Sequence, residues 1–174
     1  FQRVSVPDTA ARLIWSDEFD DASEDGRQAP RSDRWAIDIW PARKVNDEDQ
    51  AYTGRPKNVR VDSGVLILEA HQEAYQDAQY TSARVHTKGL LDLQYGQIEV
   101  RAKLPRGQGT WPAIWMLPSN PFKFATTCDA LVPEWQGNAD CDAWPNSGEI
   151  DIMEHVGFDP GVVHGTVHTK AYYW

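Results

Sequence analysis

Ser147-Gly148-Glu149-Ile150-Asp151-Ile152-Met153-Glu154-His155 sets three acids among aliphatic residues, and the rest of the chain is read outward from it. Taken as a β-strand with a period of two, it puts Glu149 and Asp151 on one face and Ile150 and Ile152 on the other. Glu154 then falls on the aliphatic face. One extra residue, a β-bulge at Met153, returns it to the side of Glu149 and Asp151 and brings three carboxyls into a row.

Like charges at strand spacing repel and raise one another's pKa, so the row costs stability and chemistry is the reason to keep it. With the bulge counted as one step, the two glutamates lie about four strand steps apart, roughly 13 Å between Cα atoms. Leaning inward, they close the gap between carboxyls to about 5 Å, the separation of a retaining glycosidase. A solvated acidic edge strand is the ordinary explanation of a charge run. Such edges do not carry isoleucines between the acids, nor the Trp-Pro-x-Ser-Gly lead-in of Trp144 to Gly148.

Strand patterns surround this stretch. Residues 13–20 read as an opening strand running into a turn, with Trp15 and Phe19 as core anchors. Residues 59–61 and 65–70 are joined by Asp62-Ser63-Gly64, a hairpin turn by composition. Residues 94–104 alternate Ile98, Val100 and Ala102 with Glu99, Arg101 and Lys103, a strand with one wet face. Residues 111–117 are apolar on both sides and read as a buried strand. Short strands, Gly/Pro turns and little helical signal predict two packed antiparallel sheets. At 174 residues and 41% hydrophobic composition, the chain fits one domain with a sizeable core. A net charge of −9 without a lysine or arginine run disfavours nucleic acid and anionic membranes as partners. No apolar run approaches a membrane span, and no charged-then-apolar leader opens the chain.

Residues 119–144 break the pattern with a long loop before the acid row, placed to overhang it. Trp135 and Trp144 there are either sugar platforms or the loop's own small core. Cys128 and Cys141 lie in this stretch; a disulfide between them, worth roughly 3 kcal/mol in the chain-entropy model, and two free thiols both fit. Neither a Cys-x-x-Cys pair nor a histidine ladder supports zinc. His164 and His168 share a strand face, but no third ligand converges by sequence, which favours histidines hydrogen-bonding near the acids, His168 above all. Trp111 and Trp115 also share a face and read as core aromatics or as sugar-stacking surfaces.

Gly148 to Glu154, GEIDIME, resembles the catalytic signature of glycoside hydrolase family 16 in its bulged form. Thr81-Ser82-Ala83-Arg84 leading to Lys88-Gly89, residues 95–105 (YGQIEVRAKLP), residues 111–117 (WPAIWML) and residues 164–168 (HGTVH) follow the order of its laminarinase-like branch. The resemblance runs from about Leu13 to Trp174. It implies an all-β jelly-roll sandwich with a concave glycan-binding cleft, and a retaining endo-β-1,3-glucanase acting by double displacement. Glu149 is then the nucleophile, Glu154 the acid/base and Asp151 the partner that tunes Glu149. Asn46, Arg84, Trp111, Trp115 and His168 are implied as substrate-binding; a turn for Asn46 and a surface ion pair for Arg84 are the plain alternatives. A structural calcium is implied with Glu18 and Gly64 among its ligands, and no cofactor for catalysis. The chain departs from the family at Ala51, where an aromatic is frequent, and at Tyr173, where an asparagine is. The family pattern continues past residue 174, so a longer natural protein, or a second chain supplying the remaining strands, is expected, as is an exported protein whose signal has been removed.

Mixed-linkage β-1,3-1,4-glucan and red-algal galactan are the alternative substrates, and a non-catalytic β-glucan-binding module is the alternative class. The intact acids argue against the module. For hydrolysis, Glu149 must be ionised while Glu154 holds its proton, although both start from the same intrinsic pKa. The expectation is that the charge of its neighbours raises Glu154, and that the rate is bell-shaped in pH.

Overall fold

The computed structural model describes residues 12–20, 27–131 and 135–172. The strands are β1 (Arg27–Gln28), β2 (Ala36–Ile37), β3 (Gln50–Tyr52), β4 (Val59–Asp62), β5 (Val65–Leu68), β6 (His71–Tyr75), β7 (Ala78–Ser82), β8 (Val85–His86), β9 (Ala113–Met116), β10 (Glu149–Glu154) and β11 (His164–His168). One short turn of helix, α1 (Ala143–Asn146), precedes β10. The chain is all-β and of the jelly-roll sandwich class. Its paired stretches form four small sheets rather than two continuous ones: β1-β4-β5, β11-β10-β9, β2-β8 and β3-β7-β6. Pairing is antiparallel except where β3 runs parallel to β7.

The hairpin forms where its composition placed it. Val59 pairs with Leu68 and Asp62 with Val65, and the loop is Ser63-Gly64, both with positive φ (54° and 78°). That is the geometry a two-residue hairpin with right-handed strand twist requires, and Gly64 adopts it without a Cβ penalty. The fully buried side chains between β3, β4 and β7 are largely polar. The Thr53 hydroxyl donates to Asn58 Oδ1 (2.6 Å), Asn58 Nδ2 donates to Thr81 Oγ1 (3.0 Å), and the Thr81 hydroxyl donates to Glu73 Oε1 (2.5 Å). Each group is satisfied, so this layer is held by a closed hydrogen-bond network where aliphatic packing would be the usual device. Ala51 is buried beside it in β3, which accounts for a small residue at that position.

Three expected strands differ. Residues 13–20 pair with nothing among the described residues, although Trp15 and Phe19 do pack on Trp35, with ring centroids 5.6 and 6.1 Å away. Residues 94–104 alternate as a strand should but form no ladder, and Ile98 and Val100 stay exposed. Alternation is a property of one segment, whereas a strand exists only with a neighbour to accept its N–H groups. Of residues 111–117 only Ala113–Met116 pairs, and it is half-buried rather than enclosed on both sides. The rear of the β9–β10–β11 sheet is likewise open: Ile150 is 49% and Val167 60% exposed.

The loop over residues 119–146 is tied to itself. Cys128 and Cys141 form a disulfide (Cα–Cα 5.1 Å). The Asp142 carboxylate accepts the Thr126 and Thr127 N–H groups (2.7 and 3.0 Å) and the Thr126 hydroxyl (2.6 Å), and these bonds hold it well below the usual carboxylate range, the Thr126 hydroxyl foremost. Trp135 packs edge-on against Phe122, 5.9 Å away, and so belongs to the loop's own core. Gly137 meets the carbonyl of Lys44 so closely that a Cβ there would collide with it, which docks this loop on the turn at residues 43–48.

Candidate active site

Pairing register proves the acid row. Residues directly opposite one another in a sheet point to the same side. Across β11, Glu149 faces His168, Asp151 faces Thr166 and Glu154 faces His164. His164, Thr166 and His168 alternate along one strand and therefore share a face, and so must the three acids. Across β9, Asp151 opposes Trp115 and Glu154 opposes Ala113, again residues two apart. The slip that makes this possible lies between Asp151 and Met153, with Ile152 as the residue unmatched on β9. The bulge is thus present, one residue earlier than Met153, where it was expected.

At the N-terminal end of β10, Glu149 is enclosed. Trp144 donates its indole N–H to Glu149 Oε2 at 2.6 Å, and the Asp151 side chain hydrogen-bonds Glu149 from the next position on the same face. Asp151 is buried, with Oδ2 lying 3.0 Å from His168 Nε2. The His168 ring lies 5.7 Å from that of Trp144. Burial, then the Asp151 charge, push Glu149 up to about 7, against smaller lowering effects of the Trp144 N–H and His168. The raised pKa of Glu149 was not foreseen from the sequence. The reason is depth: Glu149 lies beneath the loop and beside a buried carboxyl, an enclosure that strand spacing alone does not reveal.

At the C-terminal end the Glu154 carboxylate takes an indole N–H as well, from Trp111 at 2.9 Å, but Trp111 is 61% exposed. Between the two ends stands Trp115, beside Asp151 in register. The Arg84 guanidinium lies 4.7 Å from the Trp115 ring and 4.4 Å from Trp40 on its other side. Arg84 Nε contacts Asp38 Oδ2 at 3.0 Å, with both side chains mostly buried, and His86 reaches the other Asp38 oxygen at 3.4 Å. Arg84 is therefore no surface ion pair; it is a cation clamped between two indoles. The β2–β8 pairing builds this arrangement, since Asp38 follows β2 and Arg84 precedes β8, with Asp38 N–H bonded to the Arg84 carbonyl (3.0 Å).

The structure thus brings together Glu149, Asp151, Glu154, Trp111, Trp115, Arg84 and His168. Asn46 is exposed, with φ 52° in the turn at residues 43–48. Asp38, Trp40 and Trp144 join the site without having been assigned to it. Only Trp144 left a trace in sequence, in the lead-in to the acid row. Tyr173 lies outside the described residues. A hollow of about 560 Å³ lined by Gln28, Lys57, Arg60, Glu69 and His71 is separate from the row and shares no residue with it.

Glu18 is exposed and Gly64 faces Asp20, whose Oδ1 would sit 3.6 Å from a Cβ on the glycine. Calcium takes six to eight oxygens, so Glu18 and Gly64 would leave most of its ligands to other residues. Three metal-capable side chains meet elsewhere, where Glu149, Asp151 and His168 each offer an atom within 4.8 Å of the others. The side-chain hydrogen bond between Glu149 and Asp151 and the His168 contact to Asp151 hold these atoms close.

This chain resembles known proteins over most of its length. The family described as Glycosyl hydrolases family 16 matches residues 46–173. A beta-glucanase of Rhodothermus marinus is 49% identical over 161 residues, covering 92% of this chain and 49% of that protein. The X-ray structure of the laminarinase from Rhodothermus marinus superposes with a TM-score of 0.76 at 46% identity, covering 92% of this chain and 56% of that one. A non-specific endo-beta-1,3(4)-glucanase from family GH16, co-crystallised with 1,3-beta-D-cellotriosyl-glucose, gives 0.75 at 39% identity, covering 95% and 58%. The chain spans about half the length of the relatives it matches.

Proposed function

The chain belongs to glycosyl hydrolases family 16, and on that premise we propose that it is the catalytic domain of a retaining endo-glycosidase of laminarin-type β-1,3-glucan. The observation that carries the reading is the register that sets Glu149, Asp151 and Glu154 on one face with an indole N–H on each glutamate. Glu149, deep and held from two sides, attacks the anomeric carbon. Glu154, at the open end, gives its proton to the departing glycosidic oxygen as the carbon–oxygen bond breaks. The glycosyl–Glu149 ester is then opened by water, whose proton returns to Glu154. Glu149 attacks as the carboxylate, and Asp151, held beside His168, tunes it from the next position on the same face. Trp111 and Trp115 offer faces on which sugar rings stack, and Arg84, fixed between Trp115 and Trp40, offers N–H groups to hydroxyls.

Incubation with laminarin, followed by proton NMR, tests the mechanism: β-anomer is expected first, and α-anomer first overturns retention. Similarity to a non-specific endo-beta-1,3(4)-glucanase supports mixed-linkage glucan as a second substrate class, and reducing-end assays on laminarin, lichenan and red-algal galactans rank them. Binding to laminarin with no product on prolonged incubation would leave a recognition module instead. We further infer that additional polypeptide, from a longer chain or a second one, covers the exposed Ile150 and Val167, and that the protein is exported, a reading supported by the Cys128–Cys141 disulfide.

A further inference from the structure

Trp144 is the residue through which the long loop reaches the chemistry. Its neighbours on both sides are fixed. Ala143 is wholly buried, and its carbonyl accepts both the Ser147 N–H (2.8 Å) and the Ser147 hydroxyl (2.7 Å). Asn146 donates to the Asp142 carboxylate (2.8 Å), which also gathers Thr126 and Thr127. Within this tied turn Trp144 alone departs from helical geometry (φ −100°, ψ 136°), and its ring lies against His168 with its N–H on Glu149 Oε2. A carboxylate on a flexible glutamate rotates about its last bond unless something holds one oxygen; a charge-assisted N–H bond does so and favours the ionised form.

We propose that Trp144 is the positioning residue of Glu149, its indole N–H fixing Oε2 so that the carboxylate meets the anomeric carbon in one rotation. This rests on the assignment of Glu149 as nucleophile. It gives the disulfide-tied segment a task in turnover beyond shielding the site, because the segment carries the donor that aims the attack.

Trp144→Phe keeps an aromatic ring and removes the donor. On an activated aryl glycoside kcat should fall about 10- to 100-fold, on the order of one charge-assisted hydrogen bond, with KM within about twofold. The acidic limb of the kcat/KM profile should move to higher pH, since a donor that favours ionised Glu149 is gone. A purely structural tryptophan would leave that limb in place. The companion measurement needs no turnover: in chain labelled with 15N-tryptophan, the indole resonance missing from the Trp144→Phe spectrum should titrate in wild type and stop titrating in Glu149→Gln. A limb that stays put in a folded Trp144→Phe variant, or an indole signal indifferent to Glu149, overturns the proposal. Should Trp144→Phe fail to fold, the indole is assigned from Glu149→Gln and its titration decides alone. Wild type that hydrolyses no glycan while the indole titrates refutes the hydrolase reading and leaves the Trp144–Glu149 contact standing.

Discussion

The two ends of β10 build the same contact in unlike surroundings. At one end an indole N–H from Trp144 meets Glu149 beneath a loop that is tied by a disulfide and an Asp142 hub; at the other the indole N–H of an exposed Trp111 meets half-buried Glu154. Glu149 has a buried aspartate as its neighbour on the face, and Glu154 has the bulge and Ala113. The difference teaches that, under the proposed mechanism, identical side chains take different tasks through what encloses them. A nucleophile gains from being aimed and kept from water, whereas a group that gives a proton to one oxygen and takes one from water must stay reachable by both.

The comparison is broken most severely at the enclosed end. Glu149→Gln should lower kcat at least 10⁴-fold on every substrate, as loss of a covalent step does. Glu154→Ala should be as damaging on laminarin, about 10²- to 10⁴-fold, yet spare an aryl glycoside whose leaving group needs no proton. Equal losses on the two substrates in Glu154→Ala would mean the ends do not differ in role. A smaller effect sharpens the enclosed end. Since the Asp151 charge and hydrogen bond help to raise Glu149 toward 7, Asp151→Asn should shift the acidic limb down by about one pH unit. A shift upward would show that Asp151 stabilises the Glu149 carboxylate instead. The smallest effect belongs to the open end. Trp111→Phe removes one exposed hydrogen bond, about 0.5–1.5 kcal/mol, and should raise KM for laminarin about two- to tenfold with kcat little altered. A loss confined to kcat would show Trp111 tuning Glu154 rather than holding sugar.

Much of this contrast was legible in the chain. The period of two, broken once, brought Glu149, Asp151 and Glu154 to one face, and the bulge is displaced by one residue from where spacing put it. The hairpin at Ser63-Gly64 carried its own signal, because two positive-φ residues suffice to specify it. What was not legible depended on partners distant in sequence. Residues 94–104 alternate faultlessly and still form no ladder, as nothing in a segment's own pattern supplies the neighbour. Arg84 read equally well as a surface cation until the β2–β8 pairing set Asp38 and Trp40 beside it. The raised pKa of Glu149 was missed for the same reason, since its burial is a tertiary fact. Trp135 and Trp144, nine residues apart in one loop, could be parted into loop core and site only by what each touches.

The bulge at Ile152–Met153 has a consequence for how such sequences diverge. Removing one residue between Asp151 and Glu154 would leave a regular strand in which the last glutamate still falls on the face of Glu149 and Asp151, because the extra residue and the kink that absorbs it cancel. The acid row is thus indifferent to the loss of a single codon there. Strand curvature is not, since the bulge bends the strand and tightens its twist. A deletion at this point preserves the acid row while reshaping the floor beneath it, so descent could alter the chain conformation such a surface accepts before touching its carboxyls.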